Sequence, residues 1–168
     1  MKRPVLNGDK ELSTGNMWIA SLGRQNRMAE KALTVAKYII SGCSQAGRPV
    51  TGLALQKMLY DTQKSSLCMT GKPLFSDNFE AWDLGPIIPD VYWYFCGFGS
   101  MPIDMEYDVH IDSADRELID RIIEQDHLAK PWKLAEAMQK KGGAWEKVYA
   151  DGRGRYLIIP KEMIRKME

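Results

Sequence analysis

Side chains able to move protons, hold a metal or attack carbon are few in this chain of 168 residues. The two histidines, His110 and His127, lie far apart, and neither has a cysteine or second histidine at ligand spacing, so a tetrahedral metal site lacks donors. Cys43, Cys68 and Cys96 are odd in number and widely spaced among apolar neighbours on predicted helices. That pattern predicts reduced core thiols, inert because apolar surroundings raise a thiol pKa, and neither a disulfide framework nor a zinc site. Ser44 and the pair Ser65-Ser66 have no nearby base, and no G-x-S-x-G occurs. Gly152-Arg153-Gly154 lacks the strand and helix of a phosphate loop. Carboxylates at Asp112, Asp115 and Glu117 fit a helix N-terminus, and the alternation of Asp104, Glu106 and Asp108 fits a solvated edge. Spacing therefore gives no catalytic residue, no metal ligand and no cofactor. One dispersed set stays open as an enzyme site: Gln56, Trp82 and Asp83, should they meet in a concave polar pocket with perturbed carboxylates.

The elements that would position this set begin with an amphipathic helix from Gly52 to about Met69, with Thr51 as its N-cap. At about 100° per residue, Leu53, Leu55, Met58, Leu59, Tyr60 and Leu67 sweep a wide apolar arc, and Lys57, Asp61 and Lys64 oppose it. Gln56 and Gln63 fall inside the arc. A buried amide left unpaired costs about 1–3 kcal/mol, so both are predicted to bond main chain that cannot satisfy itself. The turn around Leu84-Gly85-Pro86, where a ladder stops and proline removes a donor, is the expected partner.

That turn lies in the stretch from Phe79 to Phe98, around which the chain is organised. Phe79 to Leu84 reads as a strand with alternating faces, Gly85-Pro86 breaks it, and Pro89 with Asp90 opens a helix. On that helix Val91, Tyr94, Phe95 and Phe98 share a face, and Trp93 points away from it. An element apolar nearly all round is either buried on several sides or keeps one face for a partner.

Upstream, Met28 to Cys43 is an amphipathic helix, preceded by residues 1–27, an arm without sustained period whose anchors are Trp18, Ile19 and Leu22. Downstream come a helix from Ser113 to about Asp126, another from Pro131 with Leu134, Ala137 and Met138 inward, and a short one from Ala144 to Tyr149 presenting Trp145 and Val148. Arg155 to Ile159 reads as a strand that pairs with Phe79 to Leu84, and Pro160 begins a last helix with Met163, Ile164 and Met167. The expectation is a mainly α (α+β) fold: a compact helical domain over 28–168 of about six helices, with a small two-stranded β element.

A net charge of +1 and no block of like charges disfavour nucleic acid or an anionic membrane as partner. No apolar run approaches a membrane span, and the N-terminus does not read as a signal peptide, so the cytoplasm is the expected location.

Three blocks are more specific than composition: Thr51 to Tyr60 (TGLALQKMLY), Gly71 to Phe75 (GKPLF) and Phe79 to Tyr92 (FEAWDLGPIIPDVY). In words, order and spacing they resemble the Panacea domain family of SocA-like antitoxins and phage-associated GepA proteins. The residues carrying the likeness are Gln56, Lys57, Tyr60, Trp82, Asp83, Gly85, Pro86 and Pro89. Near the end, Leu134 to Trp145 is similar to a family segment that usually carries Thr-His before a tryptophan; here Met138-Gln139 stands in that place. The resemblance implies a noncatalytic antitoxin that binds and neutralises a cognate protein toxin, with delivery of the partner to a protease as an alternative. Recognition anchors are usually aromatic or arginine. The candidates are Tyr92 and Trp93, with Trp18 on the arm.

Overall fold

The computed structural model describes residues 31–126 and 131–168. The arm over 1–27 with Trp18, and His127, lie outside the described residues. Helix α1 (Ala32–Gln45) buries Val35, Ala36, Ile39, Ile40 and Cys43 along the expected stripe. It starts at Ala32, because Lys31 is extended; the Ala32 N–H donates to Asp77 Oδ2 at 2.8 Å, a cap supplied from a distant loop.

A two-residue strand, β1 (Val50–Thr51), leads into α2 (Gly52–Thr70). The Thr51 hydroxyl caps α2 by accepting from the Ala54 N–H at 3.3 Å, and Gly71, at φ 70°, ends it with its N–H on the Leu67 carbonyl. Leu55, Met58, Leu59, Tyr60 and Leu67 are buried as the arc predicts. α2 is the central element. α1 and α4 (Ser113–Asp126) pack on it, as do α5 (Pro131–Met138) and α7 (Lys161–Met167).

The β element is larger than expected. Strand β2 (Phe79–Trp82) pairs antiparallel with β5 (Ile158–Ile159), as anticipated, with Phe79 opposite Ile159. On its other side the chain reverses through Asp83 and Leu84 and returns as β3 (Gly85–Ile87), giving the order β3-β2-β5. Proline is tolerated in β3 because Pro86 lies opposite Ala81, whose N–H and carbonyl already bond Leu157 O at 2.9 Å and Tyr156 N at 2.8 Å; no ladder bond is lost. β5 is shorter than Arg155 to Ile159 because Tyr156, at φ 66°, and Leu157 both bond Ala81, a bulge that bends the entry to the strand. A second small sheet joins β1 to β4 (Pro102–Ile103).

Helix α3 (Pro89–Phe95) buries Val91 and Phe95 and runs into a 3-10 turn, Cys96–Phe98. Tyr94, which shares the predicted face of Val91 and Phe95, is 53% exposed, so only part of that face meets the core. In α5 Met138 is buried, but Ala137, also expected inward, faces solvent. α6 (Ala144–Tyr149) buries Trp145, and α7 buries Ile164, with Met163 and Met167 packed beside it. Only one cysteine is in the core: Cys43 is buried and burial pushes its thiol up to about 11, whereas Cys68 and Cys96 sit on exposed helix faces. Seven α-helices among the described residues and the two small sheets make the fold mainly α.

Candidate functional site

Both glutamines are buried in α2 and both bond main chain. Gln56 Oε1 accepts from the Ile88 N–H at 2.9 Å, and its Nε2 donates to the Ile88 carbonyl at 3.4 Å. The contact falls just past the proline bend, not on Leu84-Gly85-Pro86, because Ile88 is where β3 has ended and α3 has not begun. Gln63 reaches a different loop: its Oε1 accepts from Leu74 N at 2.8 Å and Phe75 N at 3.3 Å, and its Nε2 donates to Phe75 O at 2.9 Å. Together they fix both ends of the segment that carries the β2–β3 hairpin.

The hairpin tip is fastened from the opposite side by the residue that follows α5 and by α6. Gln139 Nε2 donates to the Asp83 carbonyl at 2.7 Å, and Trp145 Nε1 to the Trp82 carbonyl at 2.9 Å. Gly85 has φ 125°, and a Cβ there would lie 2.7 Å from Met138 Cβ. Only glycine fits both that backbone and that approach. Met138 and Gln139 thus hold the turn. Asp83 Oδ1 accepts from the Tyr149 hydroxyl at 2.8 Å and from Arg155 Nε at 2.7 Å. The Tyr149 hydroxyl, and after it the charge of Asp83, raise the Arg155 pKa further, so its guanidinium stays charged.

So anchored, the hairpin and α3 frame a groove of about 620 Å³. Gln56 forms its floor, Trp82 and Asp83 one wall, Val91, Tyr92 and Phe95 another, and Tyr156 closes an end. Trp82 is the hub of the rings: its centroid is 4.9 Å from Tyr92, 5.4 Å from Tyr156 and 6.1 Å from Trp93. Trp93 is 62% exposed and Tyr92 40%. Leu84 and Tyr156, which also line the groove, are each more than half exposed. Contiguous exposed apolar surface of this kind marks an interaction site more often than chance.

The remaining motif residues hold the scaffold. Tyr60 is buried edge-on to Phe79, with centroids 5.1 Å apart, and its hydroxyl donates to Glu168 Oε1 at 3.0 Å. Lys57 is paired with Asp61 one turn on, Pro86 is buried in β3 and Pro89 opens α3. The groove thus unites Gln56, Trp82, Asp83 and Tyr92, but not Lys57 or Tyr60. Gln56 and Asp83 do share a concave site, yet the amide is engaged by Ile88 and the carboxylate by Tyr149 and Arg155. Among the described residues no group of three or more His, Cys, Asp or Glu could hold a metal ion.

Sequence reasoning missed Tyr156 and Arg155 as site residues. Its available signal was the run Tyr156-Leu157-Ile158, which has more large apolar side chains than one face of a short strand can bury. It also missed Tyr149, whose stacking on Trp145, with centroids 4.6 Å apart, aims its hydroxyl at Asp83.

A hairpin braced by a helix glutamine on one side and by a Gln and a Trp on the other gives structural content to the three sequence blocks. The family profile described as Antitoxin SocA-like, Panacea domain, matches residues 55–146, which spans all of these anchors except those beyond Trp145. The chain belongs to the SocA-like Panacea domain family. The curated protein Antitoxin SocA of Caulobacter vibrioides (strain NA1000 / CB15N) is 30% identical to it over 146 residues, which are 79% of this chain and 77% of that protein. No solved structure matches. In this Panacea domain the matched region contains the groove floor, the hairpin and α3, whereas Tyr156 and Arg155 come from beyond it. No helix among the described residues is long and apolar enough to cross a membrane.

Proposed function

We infer that this Panacea domain is a noncatalytic antitoxin that binds a cognate protein toxin and neutralises it through the surface formed by the hairpin, α3 and the entry to β5. The observation that carries this reading is the exposed aromatic set Tyr92, Trp93 and Tyr156 around Trp82, placed on a hairpin with buried anchors. Rigid aromatic side chains at the edge of an apolar groove are the usual source of binding energy between proteins. Presenting them on a fixed turn lowers the ordering cost of association. Membership in an antitoxin-like family points the same way, and away from an enzyme.

The test is co-expression with the small protein encoded beside this one. Growth arrest caused by the neighbour should be relieved by the intact protein. Trp93→Ala should lose most of that relief while its thermal midpoint stays within a degree or two of the parent, because an exposed side chain contributes little to folding. Arrest that persists in the presence of stable, soluble intact protein would show the reading to be wrong for that pair.

A further inference from the structure

The groove is apolar, but its charges are one-sided. Its lining holds no lysine or arginine and one carboxylate, Asp83. The Tyr149 hydroxyl and Arg155 Nε both meet that carboxylate at Oδ1, and the residue is exposed. Two further carboxylates flank the rings. Glu80 Oε2 accepts from Trp82 Nε1 at 3.0 Å, and Asp90 is exposed on the first turn of α3, three residues before Trp93 and so on the same flank of the helix.

Aromatic faces carry the negative part of the ring quadrupole and attract cations. A carboxylate that accepts the indole N–H polarises the ring in the direction that strengthens this attraction, and Trp82 has such a partner in Glu80. The opposite flank of α3 shows the interaction satisfied within the chain: Lys37 Nζ lies 4.7 Å from the Tyr94 centroid and 5.4 Å from that of Tyr107. No lysine or arginine among the described residues lies over Trp82, Tyr92 or Trp93 in this way. Arg155 approaches from the far end and is held by Asp83 and Tyr149.

Building on the antitoxin reading, we propose that the groove receives an arginine anchor of the toxin, set in an apolar segment. The planar guanidinium stacks on the Trp82–Tyr92–Trp93 rings and directs its N–H groups to the neighbouring carboxylates, while flanking apolar side chains cover Leu84 and Tyr156. Arginine suits the site better than lysine because it stacks and forks at once, and it loses less hydration on entering an apolar site.

The test does not need the toxin. Short random peptides are selected on the immobilised full chain and counter-selected on Trp93→Ala. Arginine between apolar residues should be enriched in the retained peptides, and replacing that arginine by citrulline, similar in shape but uncharged, should weaken binding about tenfold. Glu80→Gln combined with Asp90→Asn keeps an acceptor for the Trp82 N–H but removes two charges, and should weaken the same peptides and make their binding less sensitive to salt. Retained peptides that are acidic or wholly apolar, citrulline peptides that bind as well, or a library from which nothing is retained would each overturn the proposal. The two readings separate in co-expression: failure of the intact protein to relieve arrest removes the antitoxin function, whereas relief fully preserved in the Glu80→Gln, Asp90→Asn variant removes the arginine anchor alone.

Discussion

A glutamine in an apolar helix face closes two bonds at once when it meets main chain that has left one ladder and not yet joined another, and α2 does this twice, two turns apart. The two sites are unequal. At Ile88 the carbonyl also accepts from the Tyr92 N–H at 3.0 Å, so Gln56→Leu strands mainly the Ile88 N–H. At the other end Gln63→Leu would strand the Leu74 N–H, the Phe75 N–H and the Phe75 carbonyl. With about 1–3 kcal/mol for each buried group left unpaired, Gln56→Leu should lower folding stability by roughly that amount and Gln63→Leu by clearly more. Urea unfolding measures both, read as a shift of midpoint at unchanged slope. Equal midpoints for parent and Gln63→Leu would mean that the amide does not support the loop. The presence of these amides was legible in the sequence, since polar residues on an apolar arc are conspicuous. Their partners were not, because which loop lies over which turn of α2 depends on the packing of the whole chain.

The elements that repeat themselves were read correctly for the same physical reason that makes them stable: α1, α2 and α4 carry a helical period, and β2 alternates. Among elements too short for a period, β1 and β4, with two residues each, left no signal. In the sequence, strand β3 reads as the break that ends β2, since Gly85-Pro86 punctuates both a loop and a hairpin. What distinguishes the two is the unused pairing position opposite Ala81, which only the sheet reveals. Gly85 is where this hairpin is most vulnerable. Alanine there combines a backbone at φ 125° with a Cβ 2.7 Å from Met138 Cβ, and should cost about 2–4 kcal/mol. Met138→Ala in the same chain should fail to restore stability, because the clashing atom is the Cβ that alanine keeps. Thermal unfolding of the two single variants and the double variant decides this; a double variant as stable as Met138→Ala alone would place the strain elsewhere.

At the scale of the whole molecule, the groove is assembled from α2, the hairpin, α3 and the entry to β5, segments that no single period connects, so the run Tyr156-Leu157-Ile158 signals surplus apolar surface but not the wall it forms. The same packing buries weak acids that a local pattern would leave ordinary, and this gives the fold a pH limit. Burial, chiefly, raises the Cys43 thiol from 9.0 to about 11 and the Tyr38 phenol from 10.0 to about 12, the latter helped by its hydrogen bond to Asp120. Tyr60 is raised too, by burial first and then by the adjacent Glu168. For each, the folded state favours the neutral form, so its contribution to stability is complete below the unfolded value of 9.0 or 10.0. As pH climbs past those values the unfolded chain releases protons that the folded chain retains, and stability falls until the folded values are reached. Lys161, lowered by burial, opposes this in the same range, but as one group against four, since burial also raises the Tyr107 phenol. The urea midpoint should therefore hold steady from pH 7 to 9 and decline from about pH 9 to 12. Tyr60→Phe should be less stable than the parent at pH 8, having lost the bond to Glu168, yet should decline less steeply above pH 10. A parent midpoint that is flat through pH 11, or a Tyr60→Phe curve parallel to it, would show that these phenols and this thiol are not held neutral by the fold.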